Sequence, residues 1–375
     1  MGHGYEAGDE PVPGYRLDKF LGEGAFGQVW RAVAPGGTET ALKIISLSGR
    51  QGLKEFRALR LVKGLRHPNL VPIFAYWLKD ETGHVLDETA ANSAEVEHRQ
   101  KSPDMSEATT LIVTLRDSPR PVELLIAMGL GEQDLSRRLE ECRKQGLPAI
   151  PVDELLGYMD DAARAIDYLN DPSLVRGSQG VAVQHCDIKP FNIMIVGGAA
   201  QVCDFGLARM LGDVRKTATA AGSIAYVAPE CLTNNEPSAT TDQYSLAVTY
   251  FELRTGKLPY PSESFADVTN AVLKGELKLS LLPPAEQAVI GRATARDPAR
   301  RFHSTTEMVQ ALRRAACVRG SNDPGSAPND SGRRRGTRAV VWTALVAAVC
   351  GIAWYAWGPR AGQWRNIFKA DDGNA

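Results

Sequence analysis

The chain contains 375 residues, with 43 lysines and arginines against 44 aspartates and glutamates, so its formal net charge at pH 7 is -1. Hydrophobic residues make up 43% and charged residues 23%, which is a globular composition and excludes a wholly disordered or collagen-like chain. The near-neutral charge provides no general attraction to nucleic acid. The cysteines are scattered without a CxxC pair, which argues against a disulfide framework or a zinc site and favours a reducing compartment.

The first predicted elements are short strands. Residues 1–14 are polar and contain glycine and proline, so we expect a flexible N-terminus. Strands are predicted at 15–21, 29–33 and 39–46, where short apolar stretches are separated by glycine-rich turns. Residues 52–66 carry apolar side chains at roughly one-turn spacing and predict a helix.

A long polar interruption follows. Two apolar strands are predicted at 70–78 and 122–128, and the residues between them, 79–121, are far too many for an ordinary strand connection. We interpret 79–121 as an inserted loop, with a short apolar element of its own at 111–115.

From residue 134 onward the pattern is mostly helical. Helices are predicted at 134–145, 152–169, 242–255, 264–273, 284–295 and 304–317. The folded domain is therefore expected to span 15–317. Residues 318–338, rich in Gly, Ser, Pro and Asn, predict a disordered linker.

An apolar run predicts a transmembrane helix near the C-terminus. Residues 339–357 contain no charge and, at about 1.5 Å per residue, would extend roughly 28 Å, close to the hydrocarbon thickness of a bilayer. A buried C-terminal helix is disfavoured because the run has no polar face. The arginines before the run predict that the preceding domain faces the cytoplasm. Residues 358–375 would then form an extracytoplasmic tail too short for a sensor domain.

Two patterns near the N-terminus point to phosphate binding. The GxGxxG motif at 22–27 has strand signals on both sides, which favours a hairpin over a dinucleotide-binding turn, because the latter needs a following helix. Lys43 lies in an apolar strand, where its ammonium group is costly unless it meets an anion. Taken singly, each pattern could also be a hairpin without a ligand or a surface lysine.

Downstream motifs carry a family resemblance. Residues 185–192 read HCDIKPFN, an HxDxKxxN pattern, and are followed by DFG at 204–206 and APE at 228–230. In this order, with the glycine motif and the strand lysine, they resemble a eukaryotic-type Ser/Thr protein kinase of the bacterial, membrane-anchored kind. The resemblance implies an α+β, two-lobed fold with a β-rich N-lobe and a helical C-lobe.

The resemblance implies a role for each motif residue. Asp187 would accept the proton of the substrate hydroxyl, and Lys189 would neutralise the transferring phosphoryl group. Asn192 and Asp204 would bind Mg²⁺, which prefers oxygen ligands. Lys43 would bind the α and β phosphates of ATP. The other implied nucleotide-binding residues are Leu21, Gly22, Gly24, Gly27, Val29, Ala41, Met128, Leu130 and, at the ribose, Asp134.

The resemblance also implies positions that shape the site. Ala127 falls at the gatekeeper position before the hinge, 128–130, so the back of the nucleotide pocket should be open. Glu230 and Arg301 would form a structural ion pair. Asp242 would anchor the catalytic loop from below.

Two departures from the family pattern concern regulation, and the inserted loop is a third. The helix acid that should pair with the strand lysine falls at Ala58, so we expect Glu55, one turn earlier, to replace it. Cys186 replaces the arginine that usually precedes the catalytic aspartate. Phosphorylation of Thr217 or Thr219 in the activation loop is therefore not expected to be an on-switch.

The sequence thus predicts a Ser/Thr protein kinase that uses ATP and Mg²⁺ and is tethered as a single-pass protein with its kinase domain facing the cytoplasm. Lys189 and the turn at 222–226 favour serine and threonine over tyrosine as acceptors. The alternative, a pseudokinase scaffold, would not need the Mg²⁺ ligands, and a small-molecule phosphotransferase would not need the activation segment, 204–230. Expected partners are protein substrates, membrane lipid at 339–357 and other copies of the chain, which could autophosphorylate in trans; no nucleic acid is expected.

Overall fold

The computed structural model describes residues 4–24, 27–47, 65–86, 121–171, 173, 183–204, 224–234, 236–260 and 264–317. All of them lie in the first of two units into which the chain divides, Met1–Val318 and Arg319–Ala375. The predicted helix at 52–66, apart from its last two residues, lies outside the described part, as do the element at 111–115 and the apolar run at 339–357. None of the helices within the described ranges is long and apolar enough to cross a membrane.

An antiparallel sheet forms the N-terminal half, with its strands in the order β1-β2-β3-β6-β4-β5. Its strands are β1 Arg16–Gly24, β2 Gly27–Val33, β3 Glu39–Ser46, β4 Ile73–Lys79, β5 Val85–Leu86 and β6 Glu123–Met128. Successive side chains of a strand point to opposite faces. Leu42 and Ile44 belong to one buried cluster, which defines the outer face of the sheet. Ile45 and Ile126 belong to the core shared with the helices, which defines the inner face.

The strand predicted at 70–78 begins later than expected, at Ile73. Pro72 has no N–H group and cannot donate within a sheet ladder, so the preceding residues pair elsewhere. Leu70 forms a parallel bridge to Val202, and the N–H of Val71 donates to the carbonyl of Val202 at 2.9 Å. The segment before β4 therefore links the sheet to the C-terminal half.

The inserted loop predicted at 79–121 opens with a hairpin. Strand β5 pairs with the end of β4, with Lys79 opposite Val85. Asp80 holds the turn, because its carboxylate accepts from the N–H groups of Thr82 at 2.9 Å and His84 at 3.0 Å. The sheet thus continues into the first residues of the insertion.

Residues 4–15 pack against the outer face of the sheet, in contrast to the flexible N-terminus predicted for 1–14. Val12 is buried in the outer-face cluster. The hydroxyl group of Tyr5 donates to the Glu123 carboxylate at 2.7 Å. The polar composition of this segment concealed its packing, because its partners lie far away in the sequence.

Helices form most of the C-terminal half. Within the described ranges they are α1 Leu135–Lys144, α2 Val152–Asn170, α3 Pro229–Thr233, α4 Thr241–Thr255, α5 Phe265–Lys274, α6 Pro284–Ala293 and α7 Thr305–Cys317. The six predicted helices are confirmed to within two residues at each end, and α3 was not predicted. A small sheet lies among them, in which β8 Ile193–Val196 pairs with both β7 Gln133–Asp134 and β9 Ala199–Val202.

Helix α4 is buried on nearly every side, since every residue from Thr241 to Phe251 is buried. Such a helix must satisfy its polar side chains internally. The side-chain amide of Gln243 does so by donating to the carbonyls of Phe302 and Ser304, each at 3.1 Å. Helix α4 is therefore a rigid base on which the loops of the site rest.

Candidate active site

The hairpin of β1 and β2 carries the glycine motif. Gly24 and Gly27 are directly paired, so strands lie on both sides of the motif, as predicted. Gly27 has φ 115°, and a Cβ there would lie 2.0 Å from the carbonyl oxygen of Ile44. Only glycine fits this position without moving β3.

Three other residues of this hairpin are predicted to bind nucleotide. They are Leu21, Gly22 and Val29, and all three are half-buried. Val29 pairs with Lys43 across β2 and β3, which places both side chains on one face of the sheet. Val29 is therefore on the inner face, beside the lysine predicted to bind phosphate.

Lys43 contacts Asp204 across the gap between the sheet and the helical half. Its side chain is almost fully buried, and its Nζ lies 2.8 Å from Oδ1 of Asp204. Burial works to raise the pKa of Asp204, but the positive charge of Lys43 outweighs it, so the pKa lies below its ordinary value. The Asp204 carboxylate is thus ionised at neutral pH and available to a cation.

Asp187 is held by two neighbours in its own loop. The ammonium of Lys189 lies 2.9 Å from Oδ2 of Asp187, and the side-chain amide of Asn192 donates to the same oxygen at 2.8 Å. The 3₁₀ turn Pro190–Asn192 brings the amide back to Asp187. The Asp187 side chain remains 30% exposed, so a substrate hydroxyl could reach it.

Asp242 supports this loop from α4. Its buried carboxylate accepts from the backbone N–H groups of His185 at 2.7 Å and Cys186 at 2.6 Å. Cys186 has φ 60°, a conformation that non-glycine residues rarely adopt, and these charge-assisted bonds offset its cost. His185 also bridges the loop to β9, because its Nε2 lies 2.9 Å from the carbonyl of Cys203. Both ring nitrogens of His185 therefore have partners within the protein, since Nδ1 also accepts from the N–H of Asp187 at 3.3 Å.

The register of the sheet corrects the predicted gatekeeper. Ala41 pairs with Met128, and Leu42 pairs with Ala127. Paired residues share a face, so Ala127 points to the outer face, where it is fully buried. Met128 is half-buried on the inner face, the face of Lys43. The prediction of an open pocket behind Ala127 is therefore wrong, because a shift of one residue in a strand exchanges its two faces.

The chain that follows Met128 connects the two halves and fits closely against its neighbours. A Cβ at Gly131 would lie 2.6 Å from Cε of Met194, and a Cβ at Gly129 would lie 3.0 Å from Cδ of Pro72. Leu130, predicted to bind nucleotide, is half-buried between these glycines. The close approach of Met194 to this segment was not predicted, because β8 and the segment are about 60 residues apart in the chain.

Asp134, predicted to contact the ribose, caps a helix in the structure. It is the N-cap of α1, where its Oδ1 accepts from the N–H of Arg137 at 3.0 Å and from the hydroxyl of Ser136. Asp134 is only 5% exposed. Its position after the connecting segment is thus fixed by the helix that it caps.

Glu230 and Arg301 form the predicted ion pair between α3 and the segment before α7. Two guanidinium nitrogens of Arg301 lie 2.8 and 2.7 Å from the two oxygens of Glu230. The hydroxyl of Thr241 donates to Glu230 at 2.7 Å. Burial works to raise the pKa of Glu230, but the bonds and charge of Arg301 outweigh it, so the pKa lies below its ordinary value.

We expect Arg301→Gln to lower the free energy of unfolding by about 3–5 kcal/mol at pH 7, because it leaves the Glu230 carboxylate buried without its cation. The folded-state pKa of Glu230 is lowered, so the pair stabilises the fold above the unfolded value of 4.5 and loses this contribution as pH falls through the folded pKa. Urea unfolding of the full chain at neutral and acidic pH measures both effects. Glu230→Gln, which removes the charge of the other partner, is the companion variant. If Arg301→Gln lowered the free energy of unfolding equally at neutral and acidic pH, the ion pair would not explain the effect.

The donor set at the site fits Mg²⁺ and a polyphosphate. Asn192 uses its Nδ2 towards Asp187, so its Oδ1 is the atom that could ligate a cation. Asp204 offers an ionised carboxylate, and oxygen ligands suit Mg²⁺. Lys43 and Lys189 are the positive charges that phosphate oxygens could meet there. The predicted residues Glu55, Thr217 and Thr219 lie outside the described residues, and their roles stay predictions.

Known proteins similar to this chain are protein kinases. Serine/threonine-protein kinase PknJ of Mycobacterium tuberculosis is 29% identical over 380 residues, which cover 94% of this chain and 54% of PknJ. Serine/threonine-protein kinases drp72 of Corynebacterium efficiens is 27% identical, over 66% of this chain and 49% of that protein. Serine/threonine-protein kinase PknD of Mycobacterium tuberculosis is 36% identical, over 34% of this chain and 20% of PknD. The chain spans about half the length, or less, of these curated relatives.

A family model described as protein tyrosine and serine/threonine kinase matches residues 15–311. This match runs from the first strand of the sheet into α7, and it includes the glycine hairpin, Lys43, the loop of Asp187 and the pair of Glu230 with Arg301. The resemblance to eukaryotic-type kinases is confirmed, and the chain belongs to the protein tyrosine and serine/threonine kinase family.

Proposed function

We propose that this chain is a Ser/Thr protein kinase that transfers the γ-phosphoryl group of ATP to protein hydroxyls. The observation that carries the proposal is the Asp187 carboxylate, which Lys189 and Asn192 hold in place while it stays partly exposed. A general base must be fixed in orientation and reachable by the proton that it accepts. Asp187 meets both requirements.

The two oxygens of Asp187 are not equivalent. Oδ2 accepts from Lys189 at 2.9 Å and from Asn192 at 2.8 Å, whereas Oδ1 has the longer Lys189 contact of 3.1 Å. We therefore assign Oδ1 to the proton of the substrate hydroxyl. The ammonium of Lys189 lies beside this oxygen, where it would stabilise charge on the transferring phosphoryl group.

Residues on both sides of the gap would hold ATP and Mg²⁺. Lys43 and the hairpin glycines would bind phosphate oxygens from the sheet, and Asp204 and Asn192 would ligate the cation from the other side. When bound, Mg²⁺ neutralises charge on the phosphate oxygens. The close Lys43–Asp204 contact supports this assignment, because it brings the phosphate-binding and cation-binding residues together.

The acceptor is proposed to be serine or threonine. Lys189, two residues after Asp187, follows the pattern of Ser/Thr kinases, and the relatives above carry that name. A pseudokinase scaffold is the second candidate, favoured by the alanine at position 58. The complete set of Lys43, Asp187 and Asp204 supports the enzyme, since a scaffold needs no general base.

The test is phosphoryl transfer by the purified full chain. The chain would be incubated with Mg²⁺, γ-labelled ATP and a general acceptor protein, and the labelled amino acids would be identified after hydrolysis. Label on serine or threonine is the expected result. Nucleotide binding without transfer would favour the scaffold, and label on tyrosine alone would refute the acceptor assignment.

We also propose that residues 339–357 anchor the chain in a membrane, which would concentrate it and promote trans-autophosphorylation. Full-length protein should stay with membranes after carbonate extraction. Leu345→Arg combined with Val349→Arg should release it, because each arginine costs about 2.5–3.5 kcal/mol at the centre of a membrane helix. Thr337→Arg, before the run, is the control and should leave the protein membrane-bound. Full-length wild type in the soluble fraction would refute the anchor.

A further inference from the structure

Thr40 makes a buried contact with the end of β6. It lies on β3, three residues before Lys43, and is only 1% exposed. Its hydroxyl donates to the carbonyl oxygen of Met128 at 2.6 Å. A buried hydroxyl is costly without such a partner, so this bond fixes both groups.

Met128 is the last residue of the sheet before the chain crosses to the helical half. On its other side, the N–H of Gly129 donates to the carbonyl of Pro72 at 2.9 Å. The end of β6 is thus held by a side chain from β3 and by the backbone of the segment before β4. These two bonds fix the chain at the point where it leaves the sheet.

The segment that follows has a backbone with little stiffness of its own, so its neighbours hold it in place. Residues 129–131 read Gly-Leu-Gly, and glycine has more backbone freedom than any other residue. The same segment lies against Met194 and leads directly to Asp134. Its end is held by the N–H of Glu132, which donates to the carbonyl of Ile195 at 2.9 Å, and its start by the two bonds described above, so loosening the start would change its orientation.

We propose that Thr40 is a positioning residue for the nucleotide, through its bond to Met128. The hydroxyl holds the Met128 carbonyl, and this fixes both the Met128 side chain on the inner face and the start of the segment 129–131. The proposal rests on the proposed function, since it assumes that ATP binds between this segment and Lys43. Valine at position 40 would fill nearly the same space but could not make the bond.

The test compares Thr40→Val with Thr40→Ser in the full chain. Thr40→Val should raise the Kd for MgADP, measured by calorimetry, and the KM for ATP by about tenfold. The KM for the acceptor protein and kcat should change by less than about threefold. Thr40→Ser keeps the hydroxyl and should stay within about twofold of wild type.

A matched control is Thr294→Val. Thr294 is also buried and its hydroxyl also donates to a backbone carbonyl, that of Ile290 at 2.8 Å, but it is the C-cap of α6 and, within the described part of the chain, forms no hydrogen bond to a residue of the proposed nucleotide site. Thr294→Val should lower the melting temperature of the protein without changing its Kd for MgADP. If Thr40→Val does not fold, Thr40→Cys replaces it in the test. The thiol retains a weak donor, so Thr40→Cys should raise the Kd for MgADP by less than the tenfold expected for Thr40→Val.

The positioning role would be overturned if Thr40→Val left the Kd for MgADP unchanged. It would also be overturned if Thr40→Ser raised this Kd as much as Thr40→Val does. The Kd is measured without phosphoryl transfer, so it is independent of the catalytic test. Absence of transfer by the wild type would refute the kinase proposal alone, whereas normal transfer with an unchanged Kd in Thr40→Val would refute the Thr40 proposal alone.

Discussion

Replacement of Asp187 by asparagine should lower kcat for phosphoryl transfer by about 10²–10⁴-fold, which is the range of a positioned general base. Asparagine has nearly the same shape, so the loop should keep its fold. It cannot accept the hydroxyl proton at neutral pH, and it leaves Lys189 without the carboxylate that it contacts at 2.9 Å. Initial rates with labelled ATP, with wild type and variant purified in the same way, measure the effect.

The binding of nucleotide provides the companion measurement. Asp187 contacts Lys189 and Asn192, whereas Lys43 pairs with Asp204. The Kd for MgADP in Asp187→Asn should therefore stay within about threefold of wild type. Asp153→Asn, an exposed position at the start of α2, is the control and should leave kcat unchanged. Substantial residual transfer by Asp187→Asn would show that another group accepts the proton.

Shortening Met128 should allow bulkier nucleotides to act as phosphoryl donors. Met128→Ala removes most of a side chain that lies on the inner face opposite Ala41. We expect kcat/KM for N6-benzyl-ATP to rise by about 10–200-fold relative to wild type, the range that a difference of one methylene group gives in an apolar pocket. Competition between ATP and the analogue in one reaction measures the change directly.

Ala127→Gly distinguishes the two possible registers. Ala127 points to the outer face, so its replacement should change the use of N6-benzyl-ATP by less than about twofold. If Ala127 lined the pocket as its sequence position suggested, Ala127→Gly would have the larger effect and Met128→Ala would have little. The pair of variants therefore tests the sheet register by a catalytic measurement.

The residues of the candidate site could be identified from the sequence because each motif is local. The loop of Asp187, Lys189 and Asn192 spans six residues, and its hydrogen bonds form within that stretch. Most helices were predictable for a related reason. The spacing of apolar residues that marks a helix is visible within the segment itself and does not depend on distant residues. Even the pairing of Glu230 with Arg301 came from motifs recognised one at a time and then combined by family resemblance.

The sequence by itself determined the order of the motifs, the family that they indicate and, to within two residues, the bounds of six of the described helices. Only the tertiary structure decided which of Ala127 and Met128 faces Lys43, because neighbouring strand residues point to opposite faces and the choice depends on pairing with β3. It alone showed the packing of residues 4–15 and the bond from Thr40 to Met128. These contacts join residues that are distant in the chain, and no local pattern of charge or hydrophobicity specifies them.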